Sequence, residues 1–518
     1  MAKKRVGILT GGGDVPGLNA VIKSVVYRGA EHDIEVIGIR RGWEGLTHLN
    51  VEDPESRARY VLPLTRDNTR TIDRTGGTFL HSSRTNPAKM KKLPKHLEGK
   101  DFPVAQSTKG GSTTTTYDVS KQVLKNLESL GLDYLLAIGG DDTLSYAARL
   151  HQLGFKVIAI PKTMDNDVRN TEYCIGFSTA ITRAMDAIER QRTTVGSHER
   201  IGIFRVFGRD AGFTALYTAY VTSIRCCIPE FKPKLENLID LLVTDKRTNP
   251  SAYSLVVLSE GAEWEGYKVQ EYGDADAYGH RKKASVAESL SDEIKRRTGE
   301  ETIVSDLTYD LRSGDPDFID KLVASTFGTL AFDALLQNQS GVMAALVDGK
   351  YDMVPIPDPK LGPRKVDVAT MYNTERCRPN YANKRGLPIF LNRNLRRPDL
   401  GPRAPDRRPA RPHALPGRGA SPLQRAASAV LVRPRRREAD VDGGVVAGQL
   451  VADRDVPRRH RHAAVGRRGV EAVGVVGVVE EAGVVAAQDE GAEHRVLVGV
   501  LGDLLPAVGG EPLESRRR

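Results

Sequence analysis

Along the chain, short apolar runs alternate with stretches whose apolar residues recur every three or four positions. The runs at 5–10, 35–39, 134–138, 157–160, 201–206 and 254–259 are rich in Val, Ile and Leu and give way to glycine, proline or charge. That pattern predicts buried strands. The longer periods predict helices over 19–29, 119–129, 178–190, 285–298 and 318–337. Strands and helices in alternation predict a parallel-sheet α/β fold. Five of the runs lead into polar loops: TGGGDVPGLN, GGDDT, PKTMDND, FGRDAG and SEGAE. Open α/β sheets bind ligands at the carboxyl ends of their strands, so the five loops predict one shared cleft. The stretch 90–117, with KMKKLPKHLEGK and KGGSTTTTYD, reads as an exposed insertion, a loop or lid.

Composition changes this picture at one end. The chain has 518 residues and a formal net charge of +10. Of its 76 basic and 66 acidic residues, 22 arginines and 16 acids lie in 395–518, leaving 54 and 50 for the first 394 positions. The body is therefore near neutral, and no specific nucleic-acid partner is expected. The segment 395–518 has no Lys, Ile, Asn, Thr, Phe, Tyr, Trp, Met or Cys. It is poorly supplied for a packed core. Lys, Ile, Asn, Phe, Tyr and Met have AT-rich codons. Their loss favours a frameshifted or read-through product of a GC-rich gene over a basic extension or an accessory domain. The segment is read as an aberrant, low-complexity, non-globular tail without a function. Cys174, Cys226, Cys227 and Cys377 make neither a disulfide scaffold nor a zinc site. No apolar run reaches about 18 residues, and the N-terminus has no signal-peptide core. A cytoplasmic protein with no membrane partner is expected.

Three loops carry candidate chemistry. TGGGDVPGLN, from Thr10 to Asn19, lets backbone amides approach a phosphate, or it is a tight strand–helix turn. It is neither a Walker A loop nor GxGxxG. In GGDDT, Asp141 suits magnesium, with Asp142 beside it; the alternative is a solvated helix cap. In PKTMDND, Asp165 and Asp167 lie two apart and share a face if the segment is extended. Paired carboxylates can divide the work of base and electrostatic partner. Lys162 adds a cation for phosphate; the alternative is a surface turn with a salt bridge.

Taken together, LTGGGDVPGLNAVI, GGTFLHSSR, AIGGDDT, PKTMDNDV, YCIGFSTA, ERIGIFRVFGRDAG and VVLSEGAE stand in the order and spacing of the phosphofructokinase family. The chain resembles that family over about residues 3–394. The resemblance implies two similar Rossmann-like parallel-sheet domains with the active site in the cleft between them. Residues 1–176 and about 311–360 would take the phosphoryl donor and magnesium; residues 177–310 and about 361–394 would take the sugar phosphate. It implies phosphoryl transfer to the 1-hydroxyl of fructose 6-phosphate, a Mg2+ cofactor, and a homodimer or homotetramer. By resemblance Asp165 is the general base, Asp141 the magnesium ligand, and Gly12 and Gly13 the donor-phosphate loop, with Arg84 on the transferring phosphate. Thr163, Met164 and Asp165 hold the sugar. Phe207, Gly208 and Arg209 match a Met-Gly-Arg sugar segment, and Glu260 a sugar-hydroxyl acceptor. Arg312 matches a sugar-phosphate ligand, and Arg200 one supplied by the neighbouring subunit.

Two departures from the ATP-using pattern bear on the donor. Asp142 and Lys162 both stand where that pattern has glycine. Two like charges about 4 Å apart cost about 4 kcal/mol at an effective dielectric of about 20. Each 1.4 kcal/mol is roughly tenfold, so a carboxylate there excludes an α-phosphate by two or three decades. Lys162 offers charge to a pyrophosphate leaving group. The Asp/Lys pair is similar to the pyrophosphate-dependent branch, which implies reversible transfer with pyrophosphate and fructose 6-phosphate as partners. Catalytic weight then falls on Asp165, Asp142, Lys162, Asp167 and Arg209. Tyr309 replaces a sugar-phosphate histidine, and Ile303 replaces an arginine. An ATP-dependent enzyme of the same fold and a non-catalytic sugar-phosphate-binding homologue are the alternatives.

Overall fold

The computed structural model describes residues 3–109, 112–273 and 281–381, all within the unit Met1–Pro412. The reading of 395–518 as a tail lies outside the described residues.

Eleven strands form two sheets that bear on the site. They are β1 (Arg5–Thr10), β2 (Glu35–Ile39), β3 (Val61–Leu64), β4 (Tyr134–Gly139), β5 (Val157–Pro161), β6 (Ile201–Val206), β7 (Arg225–Cys227), β8 (Ser254–Ser259), β9 (Thr302–Asp306), β10 (Val342–Val347) and β11 (Lys350–Pro355). The larger sheet has the order β11-β10-β5-β4-β1-β2-β3, parallel except at its two edges. The smaller has the order β9-β6-β8-β7 and is wholly parallel. All six predicted strands are present within a residue at each end. In the larger sheet the chain leaves β1 for β2 on one side and β4 on the other. That reversal opens a crevice at the strand ends, where the β1 and β4 loops sit.

Helices α1 (Leu18–Glu31), α2 (Asp141–Gln152), α3 (Phe177–Ser197), α4 (Phe213–Thr222), α5 (Val286–Thr298) and α6 (Phe318–Leu336) cover the sheets. One apolar cluster runs from Ile8, Leu136 and Ile160 of the larger sheet, through Phe177, Ala184 and Phe213, to Phe204 and Val257 of the smaller. The facing strand ends are thus held over a continuous core. The stretch 90–117 is not a structureless loop. Val104–Lys109 and Ser112–Tyr117 pair as an antiparallel hairpin, and Met90, Leu97 and Val119 make a small core beneath it. Among the described residues no helix is long and apolar enough to cross a membrane.

Helices α3 and α6 are tied at their starts. The first amides of a helix lack internal partners. Asp320, on α6, accepts from Gly176 N at 2.7 Å and Thr179 N at 2.8 Å at the start of α3, and from the Thr179 and Tyr173 hydroxyls at 2.5 Å. Burial pushes this carboxyl up to about 6, against four donors that favour its ionised form. Asp320→Ala strands those donors in the core and is expected to cost about 3–5 kcal/mol. Urea unfolding of the full chain measures it; a loss below about 1 kcal/mol would contradict this account.

Candidate active site

A recess of about 260 Å³ lies where the strand ends converge. All five polar loops line it. Gly12, Gly13, Asp14 and Val15 follow β1; Gly140, Asp141, Asp142 and Thr143 follow β4; Lys162, Thr163, Met164, Asp165 and Asp167 follow β5. Phe207, Arg209 and Asp210 follow β6, and Glu260 follows β8. Arg84, Arg312 and Pro363 complete the wall. A shallower cavity of about 440 Å³ shares Gly12, Gly13, Asp14, Arg84 and Arg312, and adds Thr78, His81, Ser82 and Ser83.

The β1 loop folds this way because glycine permits it. Gly12 has φ 78, a left-handed conformation open to glycine, and its N–H donates to Ser83 O at 3.0 Å. A Cβ on Gly13 would lie 2.6 Å from Arg312 Nη1, so the missing side chain is what admits that guanidinium. Lys162 leaves β5 and crosses the floor of the recess, where its Nζ donates to Gly13 O at 2.5 Å. It is buried. Burial, with Arg312 facing it, lowers the ammonium to about 8, while Asp14 opposes the shift. Asp141 and Asp142 open α2, where carboxylates complement the helix dipole.

Asp165 and Asp167 come together by a different route from the extended segment expected of them. Asn166 between them has φ 52. The chain turns there, and both half-buried carboxylates still line the recess. Asn166 tolerates the left-handed region better than most residues, and its side chain fixes the turn. Its Nδ2 donates to Glu172 O at 3.0 Å and its Oδ1 accepts from Cys174 N at 2.8 Å. Burial, then Asp167 and Glu260, push the Asp165 carboxyl well above the usual range. Burial, then Asp141, raises Asp167.

On the opposite wall, Arg209 Nε lies 3.6 Å from Glu260 Oε1, and Arg205 Nη2 lies 3.7 Å from Glu260 Oε2. Gly208 does not line the recess, but its φ of 127 shapes the loop between Phe207 and Arg209. Tyr309 is exposed outside it; Arg312 lies over its ring at 4.9 Å, and Phe207 meets it edge-on at 5.8 Å. Arg200 is not brought to this recess within one chain. It precedes β6 at the end opposite Phe207, about 20 Å away at a strand rise of about 3.3 Å per residue, and pairs with Glu301 at 2.9 Å. Ile303 sits on β9 beside Gly202 of β6, packed against the apolar core. Asp14, Thr143, Asp210 and Pro363 were not foreseen. Asp14 follows directly on the glycine run; Pro363 carries no local signal at all.

Asp14, Asp141, Asp142, Asp165, Asp167, Asp210 and Glu260 place seven carboxylates on the wall, against Arg84, Lys162, Arg209 and Arg312. Among the described residues no cluster of three or more His, Cys, Asp or Glu forms a ready metal cage. Such a wall fits a hard cation held by one or two carboxylates and completed by water and phosphate oxygens.

The phosphofructokinase family profile matches residues 5–335. The chain belongs to the phosphofructokinase family. A pyrophosphate--fructose 6-phosphate 1-phosphotransferase from Dictyoglomus thermophilum is 35% identical over 359 residues, 69% of this chain and 92% of the relative. An ATP-dependent 6-phosphofructokinase 3 from Streptomyces coelicolor is 34% identical over 356 residues, 68% of this chain and 94% of the relative. The crystal structure of a pyrophosphate-dependent phosphofructokinase from Nitrosospira multiformis aligns with a TM-score of 0.57 at 18% identity, covering 75% of this chain and 96% of that one. That likeness speaks to the fold.

Gly261 follows Glu260 directly, and its N–H donates to Gly208 O at 3.1 Å. A Cβ on Gly261 would lie 1.9 Å from Arg209 O, a backbone atom that cannot swing aside. Gly261→Ala is expected to cost about 1–3 kcal/mol of stability in chemical denaturation and to separate Arg209 from Glu260. Unchanged stability would show that the loop yields freely.

Proposed function

We propose that the protein transfers a phosphoryl group from pyrophosphate to the 1-hydroxyl of fructose 6-phosphate, reversibly, giving fructose 1,6-bisphosphate and phosphate. The observation that carries this reading is the placement of Asp142 and Lys162 in one recess with Gly12, Gly13 and the Asp165–Asp167 pair. The extra phosphate of a nucleotide would meet the Asp142 carboxylate. Pyrophosphate has no such group, and Lys162 lies under the glycine loop that would cradle it.

Thr163, Met164, Phe207, Arg209, Glu260 and Arg312 orient the sugar phosphate, with Gly208 shaping the loop and Tyr309 backing Arg312 from outside the recess. Asp165 takes the proton of the 1-hydroxyl as that oxygen attacks phosphorus, while the bond to the leaving phosphate breaks. Asp167 and Asp142 set the field around Asp165, and Lys162 and Arg84 receive the charge that gathers on the departing phosphate. Phosphoryl transfer depends mostly on such positioning and charge compensation. Magnesium, when bound at Asp141 with donor oxygens, would neutralise part of the phosphate charge. Residues 1–176 and about 311–360 serve the donor; residues 177–310 and about 361–394 serve the sugar. A neighbouring subunit's Arg200 would reach the sugar phosphate in a homodimer or homotetramer, working in the cytoplasm.

A coupled assay with fructose 6-phosphate and magnesium compares the donors. Pyrophosphate is expected to exceed ATP by at least about 100-fold in kcat/KM. Turnover with ATP alone would overturn the donor assignment while leaving the family intact. The double variant D142G/K162G is expected to narrow the ratio by about tenfold or more, from both sides. Asp165→Asn is expected to lower kcat about 10²–10⁴-fold with little change in KM. A kcat near that of the unaltered protein would remove Asp165 as the base.

A further inference from the structure

The turn at Asn166 is gripped from behind by a residue almost 200 positions later in the chain. Arg364 is buried at 7% exposure. Its Nη2 donates to Asn166 O at 2.5 Å, and its Nη1 to Thr171 O at 2.7 Å. Its own backbone N–H donates to Asp167 O at 2.6 Å. The guanidinium lies over the Phe213 ring at 4.5 Å, at the start of the helix that follows the Arg209 loop. Pro363, the preceding residue, lines the recess. Among the described residues no carboxylate forms an ion pair with Arg364, although those of Asp167 and Glu172 are near enough to favour its charge.

A buried cation without a paired anion is costly, so its placement calls for a reason. The carbonyls it holds belong to the segment that carries the acid pair. The left-handed Asn166 costs backbone energy and persists only where its surroundings fix it. Arginine's rigid planar fork aims separate N–H groups at two carbonyls, a fixed geometry that lysine's compact ammonium on a flexible stem does not supply. We propose that Arg364 is a positioning residue for phosphoryl transfer, clamping the 166–172 backbone so that Asp165 and Asp167 both face the recess. This rests on the reading of the recess as the transfer site.

The test uses R364M and R364K in the full chain, with amide hydrogen exchange and steady-state kinetics. In R364M, kcat is expected to fall about 10²-fold while KM for the sugar phosphate moves by less than about threefold. Exchange within 163–172 should quicken about tenfold or more, with 157–161 unchanged. R364K keeps the charge but bridges one carbonyl, and should fall between. Unchanged exchange in 163–172 overturns the proposal. So does faster exchange spread evenly over both sheets, or a loss of kcat no larger than the loss of folded protein. Should R364M fail to fold, R364K decides by the same criteria. Exchange is read without substrate, so a chain that turns over neither donor would overturn the proposed reaction while the clamp is still judged.

Discussion

The controlling constraint is a charge imbalance confined to a small space. Seven carboxylates and four cationic side chains face one recess of about 260 Å³. Burial and neighbouring carboxylates raise Asp165 and Asp167, while Arg209 and Arg364 oppose the shift. Positive charge brought into the recess would ease the repulsion among these acids. The fold's task is to keep these groups from drifting apart, because flexible acidic loops would relieve their repulsion by moving into solvent.

Backbone geometry does that work. The loops stand on strand ends packed over one continuous apolar cluster. Gly12, Asn166 and Gly208 take left-handed conformations at the points where the chain must turn toward the recess. Each turn is pinned by a hydrogen bond with a residue outside its own loop: Ser83 at Gly12, Arg364 at Asn166, and Gly261, whose N–H donates to Gly208 O at 3.1 Å. Asp320 fixes where α3 begins and so sets the path from the acid pair to the smaller sheet.

Much of this was legible from sequence where the signal is local. The runs RVGILT and SLVVLS are apolar enough to identify themselves as β1 and β8, and loops such as GGDDT and PKTMDND announce their chemistry by composition. β9 was not legible, because Thr302–Asp306 is only part-buried and interrupted by polar residues. β7 is three residues long and too short for any period. Asp165 and Asp167 line one recess, but not as an extended segment, and nothing in DND reveals its left-handed centre. Pro363 reaches the recess through tertiary packing alone. Arg200 shows the same limit from the other side: its likeness in sequence carries it to a place that one chain does not bring near the recess.

The late arrival of β10 and of Arg364 has a further consequence for how the chain is made. β5 lies beside β10, which is synthesised only after the entire smaller sheet. Asn166 waits for a partner 198 residues downstream. During translation the larger sheet emerges with an open edge at β5, and the acid loop emerges without its clamp. Contacts of such long sequence separation slow folding and leave strand edges exposed for longer. A chain cut short before β10 would carry the recess residues from Gly12 to Arg312 but lack both the strand beside β5 and the arginine that grips the Asn166 turn.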